Sequence, residues 1–191
     1  MVQLSYKTPR EWATKALENF DELLRDHAFC ERKAHATAMK FIAQYPDRDE
    51  LVSEMLELAT EELLHFRQCY GLMRTRGVPL GKDAPDPYVQ ALRSQLKGGD
   101  ADDVLLERLL LAGVIEARSC ERMGLISEAL EDEKLRGFYR RLCQAEARHE
   151  LMFEELAELY FDKERVSARL SEMLEHEAKV IAELPWRHSL H

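Results

Sequence analysis

Glycine and proline are scarce in this chain, eight and six among 191 residues. That scarcity argues against a loop-rich or all-β fold and favours long helices. Long apolar runs are missing as well. The longest, Leu109 to Ile115, falls far short of the roughly 20 residues that cross a bilayer as a helix. The N-terminal stretch Met1 to Arg10 has no apolar segment of a secretory signal. Cysteines number four (Cys30, Cys69, Cys120 and Cys143), and none forms a Cys-x-x-Cys pair. A short-range zinc site is therefore not expected. A soluble, cytoplasmic protein with reduced thiols is the expectation. The net charge is −9, whereas proteins that bind nucleic acid through a broad basic face usually lean the other way, so any such contact is expected to be local.

What the chain does contain is helix-forming sequence with clear punctuation. Thr8-Pro9-Arg10-Glu11 has the form of a helix start, with Thr8 as cap. A short helix leads into a long one ending near Tyr45 and Pro46. Asp47 or Asp49 opens a second long helix, which stops at Gly77. Residues 77–100 are rich in glycine and proline, with Asp86-Pro87 capping a short helix to about Lys97. A third long helix is expected from Asp100 to Leu130, a fourth from Asp132 to Tyr160, and a fifth from Asp162 to before Pro185. Short turns join the first pair and the second pair, and a long crossover separates the pairs. The expected fold is all-α: a ferritin-like four-helix bundle with a long crossover between helices 2 and 3 and extra N- and C-terminal helices. Residues 1–191 are read as a single domain.

Two segments read Glu-x-x-His: Glu62 with His65, and Glu146 with His149. Residues three apart share a helix face, so each pair can grip one ion. In a chain with 25 glutamates and seven histidines two such spacings are near chance, so context must decide. Steps of three or four through Glu62 give Leu51, Met55, Leu58, His65, Cys69 and Met73. Through Glu146 they give Leu135, Tyr139, Leu142, His149, Phe153 and Leu156. Both motifs thus lie on apolar faces, where carboxylates are costly unless they are paired or bind metal. Glu31 and Glu116 lie on similar faces of the first and third long helices. The separations match: 31 residues from Glu31 to Glu62 and 30 from Glu116 to Glu146. Each half thus contributes one Glu plus one Glu-x-x-His, as in a duplicated helical hairpin. Four carboxylates and two imidazoles form the donor set of di-iron and di-manganese bundles. The metal-ligand and catalytic candidates are Glu31, Glu62, His65, Glu116, Glu146 and His149. Glu61 falls off the apolar face and reads as a solvated charge. Each cysteine lies near a proposed ligand, so thiol ligation is one reading, and the better one is a small buried hydrophobe. His27 and His35, four residues either side of Glu31, read as supports for that ligand, as part of a substrate channel, or as ordinary polar interior or surface histidines.

The stretches HAFCERKAH (27–35), EELLHFRQ (61–68), IEARSCER (115–122) and EARHE (146–150) resemble the bacterial tRNA 2-methylthio-isopentenyladenosine hydroxylases. The resemblance spans nearly the whole chain. It implies a non-haem di-iron monooxygenase acting on the isopentenyl group of a hypermodified adenosine beside the tRNA anticodon. It further implies two Fe ions, O₂ as co-substrate, an electron-donating reductase or ferredoxin, and the tRNA anticodon loop as partner. Residues 67–97 carry six basic side chains against two acids. Among them, Arg74, Arg76, Lys82, Arg93 and Lys97 are the candidates for phosphate contact. Lys134, Arg136, Arg140, Arg141 and Arg148, against Glu146, form a second basic run with the same two readings as the first: phosphate contact or a solvated helix surface. The competing readings are a ferritin- or rubrerythrin-like protein that oxidises or stores iron, and a helical bundle without metal.

Overall fold

The computed structural model describes residues 3–191. Among them lie seven helices and no strand: α1 (Arg10–Leu17), α2 (Phe20–Gln44), α3 (Asp49–Thr75), α4 (Pro87–Arg93), α5 (Ala101–Ala129), α6 (Glu133–Tyr160) and α7 (Lys163–Glu183). Side-chain caps satisfy the first amides of most of these helices. Asn19 accepts from Glu22 N at the start of α2, Asp132 from Lys134 N and Leu135 N at α6, and Asp162 from Glu164 N and Arg165 N at α7. Asp100 and Asp103 form a reciprocal capping box at α5. Asp86 caps α4 and is followed by Pro87 at the first helical position. Helix α3 ends on Gly77, with φ 71°. Gly77 N donates to Arg74 O at 3.2 Å, and Val78 N donates to Met73 O at 2.9 Å. This pairing closes a helix on a left-handed residue, and glycine adopts it without penalty.

Two sequence expectations, the Thr8 cap and the end of α4, differ from the structure. Thr8 does not act as the cap of α1: its amide and hydroxyl both donate to Glu121, at 2.9 and 2.7 Å. The hydroxyl oxygen, which as a cap would accept from helix amides, instead accepts from Arg118 Nη1 at 3.0 Å. Helix α3 opens at Asp49, one of the two starts the sequence offered, and its cap position, Arg48, makes no side-chain hydrogen bond. Helix α4 stops at Arg93, before Lys97. Its Ser94 hydroxyl turns back to Ala91 O at 2.7 Å, a local bond that competes with helix continuation.

The chain divides into two compact units. One comprises Thr14–Ala84 and Trp186–Leu190. Here α2 and α3 pack together across the short turn at Tyr45–Arg48, as the turn length requires. Leu24, Phe41, Leu51, Met55, Leu58 and Met73 are buried in it. His35 Nδ1 lies 2.8 Å from Ala59 O and ties the two helices at mid-length. The C-terminal segment returns to this unit: Leu190 N donates to Asp26 at 2.8 Å, and His188 Nδ1 sits 3.0 Å from Lys15 O.

The other unit comprises the N-terminal stretch through Ala13, Pro85–Pro185 and His191. Helices α5 and α6 form its main hairpin, with α4 and α7 packed beside them. Leu105, Leu109, Ile126, Tyr139, Leu142, Phe153 and Ile181 are buried in it. Each fully buried Leu or Ile contributes about 1.5–3 kcal/mol relative to exposure. A Cβ on Gly113 would meet Phe153 Cβ at 3.3 Å, so the missing side chain is what lets α5 and α6 approach there. A buried charge cluster fastens the periphery to α5. Arg118 forks onto both oxygens of Glu177 at 2.8 and 2.9 Å. It also donates to Thr8 Oγ1 at 3.0 Å, to Tyr6 O at 2.9 Å and to Glu121. Tyr88 adds its hydroxyl to Glu177 at 3.1 Å. Among the described residues no helix is long and apolar enough to cross a membrane.

Candidate metal centre

Each unit buries one glutamate and one Glu-x-x-His pair. In the α2–α3 hairpin these are Glu31, Glu62 and His65, all less than a tenth exposed. One ligand atom from each lies within 4.8 Å of the others. His65 Nδ1 is 3.6 Å from Glu31 Oε2 and 3.9 Å from Glu62 Oε2. The helical spacing explains this geometry. Glu62 and His65 are one turn apart on the inner face of α3, whereas Leu63 and Leu64 between them are exposed. Glu61 is half-buried, off that face.

His27 supports this triad from one turn earlier on α2. Its Nε2 lies 2.5 Å from Glu31 Oε1, and its Nδ1 is 3.7 Å from Cys69 Sγ. His27, Glu31 and Cys69 thus also bring donor atoms within 4.8 Å of one another. The sequence marked His27 and His35 alike. His27 reaches the Glu31 carboxylate, whereas His35 is engaged with Ala59 O.

Electrostatics follow from these contacts. Burial alone would push the Glu31 carboxyl up. The hydrogen bond and charge of His27, with help from His65 and Glu62, reverse that and hold it well below the usual carboxylate range. Burial likewise disfavours a charged His65, but Glu31 and Glu62 outweigh it and raise the imidazole to about 10. Burial pushes the Cys69 thiol up, despite the opposing pull of His27. Cys69 is fully buried and fits the core-filling reading.

In the α5–α6 hairpin the donors are Glu116, Glu146 and His149, again buried, with one atom each within 4.8 Å of the others. His149 Nδ1 is 3.2 Å from Glu146 Oε2. Each triad offers hard carboxylate oxygens with a single imidazole and no thiolate in the Glu-x-x-His pair. This donor chemistry suits Fe or Mn better than zinc. The residues present therefore fit a metal ion in each half.

The basic candidates divide between the units. Arg74, Arg76 and Lys82 are exposed in the first, and Arg93 and Lys97 are exposed in the second. Two already have acidic partners: Arg76 Nε lies 2.5 Å from Asp21, and Lys97 Nζ lies 2.6 Å from Glu172. In the second basic run, Arg136 is turned inward onto Leu130 O at 2.7 and 3.0 Å and pairs with Glu133 at 2.6 Å.

Sequence reasoning missed two features of these hairpins. One is the Arg118–Glu177 pair, whose members are 59 residues apart. The other is the approach of Cys120 Sγ to 3.1 Å from Cys143 Sγ. Both are long-range pairings between residues that are unremarkable alone. Only the equal placement of Cys120 and Cys143 about the α5–α6 turn could have signalled the second.

Comparison with known proteins agrees with this picture. The chain is 39% identical over 160 residues to the tRNA 2-(methylsulfanyl)-N(6)-isopentenyladenosine(37) hydroxylase of Pseudomonas putida, covering 84% of this chain and 77% of the relative. It is 28% identical to the protein of the same name from Salmonella typhimurium, covering 91% of this chain and 82% of that one. Among solved structures it matches "Protein 43 with aldehyde deformylating oxygenase activity" from Synechococcus, with a TM-score of 0.92 and 34% identity over 98% of this chain and 94% of that one. The fold class is accordingly all-α and ferritin-like. Residues 2–191 match the family described as tRNA-(MS[2]IO[6]A)-hydroxylase (MiaE), and the chain belongs to that family.

Proposed function

We propose that this chain is an O₂-dependent tRNA hydroxylase whose two buried triads together hold one di-iron centre. Its substrate is the 2-methylthio-isopentenyladenosine next to the anticodon, and the group hydroxylated is the isopentenyl tail. The ligands are Glu31, Glu62, His65, Glu116, Glu146 and His149, and residues 1–191 act as one ferritin-like domain. The observation that carries this reading is the repeated donor set: each hairpin buries a glutamate with a Glu-x-x-His pair within 4.8 Å, in a chain of a tRNA-hydroxylase family.

Four carboxylates balance the charge of two divalent ions, which favours a pair of metals over a single one. When bound, the iron pair supplies the activation of O₂ that no amino-acid side chain can provide. The net reaction inserts one oxygen atom into a C–H bond. With two electrons and two protons, the other oxygen atom leaves as water. The electrons come from a reductase or ferredoxin, and the reaction takes place in the cytoplasm, where tRNA is found.

The chain's own residues bind, orient and insulate. His27 directs an Nε2–H at Glu31 and so holds that carboxylate in one orientation. Met55, Leu58, Leu109 and Phe153 are buried on the same helix faces as the ligands. They exclude water from the donors and present apolar surface suited to a five-carbon prenyl tail. Arg74, Arg76, Lys82, Arg93 and Lys97 supply positive charge for the anticodon-loop phosphates within an otherwise acidic chain.

The experiment combines iron-loaded protein, a chemical or enzymatic reductant, O₂ and tRNA carrying the isopentenyl modification. Nucleoside analysis should reveal the hydroxylated base. Iron oxidation without any nucleoside product would favour the iron-handling alternative. Turnover of an aldehyde in place of tRNA would favour the activity named for the Synechococcus protein.

A further inference from the structure

Cys120 on α5 and Cys143 on α6 face each other across the hairpin, with their sulfurs 3.1 Å apart. Cys120 Sγ also lies 3.2 Å from Cys143 O. Both are half-buried, unlike Cys69, and both are free thiols. A disulfide sets its sulfurs about 2.0 Å apart, so closure asks for a movement of about 1 Å. The pair is also reachable. Cys143 lines a surface pocket of about 510 Å³, together with Gly124, Ser127, Glu128, Arg136 and Arg140. Cys120 is not part of that lining. Arg136 is held by Leu130 O and Glu133, so Arg140 is the guanidinium this pocket offers an anion, while the charge of Glu128 is offset by Arg10 at 3.3 Å. The pocket thus has an anion-favouring wall with a thiol in it and a second thiol directly behind.

We propose that Cys120 and Cys143 form a thiol–disulfide exchange site that takes small anionic disulfides through this pocket. Cys143 loses its proton to solvent and attacks one sulfur of the incoming disulfide. A mixed disulfide forms, and the first small thiolate leaves. Cys120 then loses its proton and attacks Cys143 Sγ. The Cys120–Cys143 bond forms, and the second small thiolate leaves. Two protein thiols are oxidised and one small disulfide is reduced to two thiols, with the released protons taken up by the leaving groups. The resulting bond lies one helical turn from Glu116 and from Glu146, and it joins the two helices that carry that triad. The site does not depend on the proposed tRNA chemistry, because none of its residues is a metal ligand.

Glutathione disulfide is the probe. The full-length reduced chain is equilibrated without oxygen in buffers of fixed reduced-to-oxidised glutathione ratio, then alkylated and peptide-mapped. The expected result is loss of two of the four thiols, a peptide linking Cys120 to Cys143, and full reversal in excess reduced glutathione. Cys30 and Cys69 should react at least about tenfold more slowly. Cys120→Ser should stop at a single glutathione adduct on Cys143. Cys143→Ser should leave Cys120 largely unmodified, with helix content unchanged by circular dichroism. A wild-type chain that reacts equally at all four thiols overturns the proposal. So does one that accumulates a stable mixed disulfide without internal closure. The wild-type mapping decides even if a variant fails to fold.

Discussion

His27 Nε2 sits 2.5 Å from Glu31 Oε1, and neither side chain is more than 3% exposed. A histidine so placed acts on its carboxylate by holding it, not by offering itself to solvent. Groups that orient a ligand in this way typically contribute 10–100-fold to metal affinity. His27→Ala is therefore expected to weaken iron or cobalt binding at the α2–α3 triad by about that factor while leaving helix content intact. His27→Gln, which keeps an N–H donor, should recover part of the loss. Equal metal affinity in all three proteins would show that His27 is only core packing.

The protonation of His65 sets a pH dependence. Glu31 and Glu62 raise its pKa from the usual 6.5 to about 10 in the metal-free protein, against the opposing effect of burial. The folded state then holds this proton more tightly than the unfolded one. Its stabilising contribution is complete below about 6.5 and is lost as the pH rises through about 10. A metal ion must displace the same proton. Metal uptake should therefore release protons at neutral pH, and affinity should increase from pH 6.5 towards 10. Titration calorimetry in buffers of different ionisation enthalpy measures the proton count, and zero release at pH 7 would contradict the assignment of His65.

Some of this was legible in the sequence and some was not, for physical reasons. Glu62, His65, Glu146 and His149 were readable because a polar residue on an apolar helix face violates the helix period. The Asp86 cap and the helix starts at Asp100, Asp132 and Asp162 were readable because capping is a local interaction. Arg118 and Glu177 were not legible, since nothing local distinguishes a solvated pair from one buried by tertiary packing. Thr8 was misread for the same reason: its partner, Glu121, is 113 residues away. His27 was separable from His35 only once Ala59 O had claimed the latter.

The Arg118–Glu177 pair carries its own test. Both side chains are fully buried. Burial alone would lower the arginine, but Glu177 and Glu121 outweigh it and raise it. Removing one partner leaves the other charge buried and uncompensated. Glu177→Ala should thus destabilise the fold by about 3–5 kcal/mol. The double variant Arg118→Met with Glu177→Leu should lose much less than the sum of the single changes. Urea unfolding of the full chain measures both, and a loss below about 1 kcal/mol for Glu177→Ala would show that the pair is dispensable.

Charge reversal separates the basic candidates. Arg74→Glu, Lys82→Glu and Arg93→Glu remove exposed cations, whereas Arg76 and Lys97 are already paired with Asp21 and Glu172. The first three should each weaken tRNA binding and reduce the salt dependence of the association constant by about one phosphate contact. Arg76→Glu and Lys97→Glu should have smaller effects. Filter-binding or anisotropy titrations at several salt concentrations give the slopes. Unchanged slopes across all five variants would remove this surface from the tRNA interface.

Iron stoichiometry decides whether the two matched triads make one di-iron centre. Anaerobic titration of the purified chain with Fe(II) should saturate at two ions per chain. Glu116→Ala should saturate at one, keep its helices and lose nucleoside hydroxylation. Saturation of the wild type at one ion or fewer, or a Glu116→Ala variant that still binds two and remains active, would contradict the account.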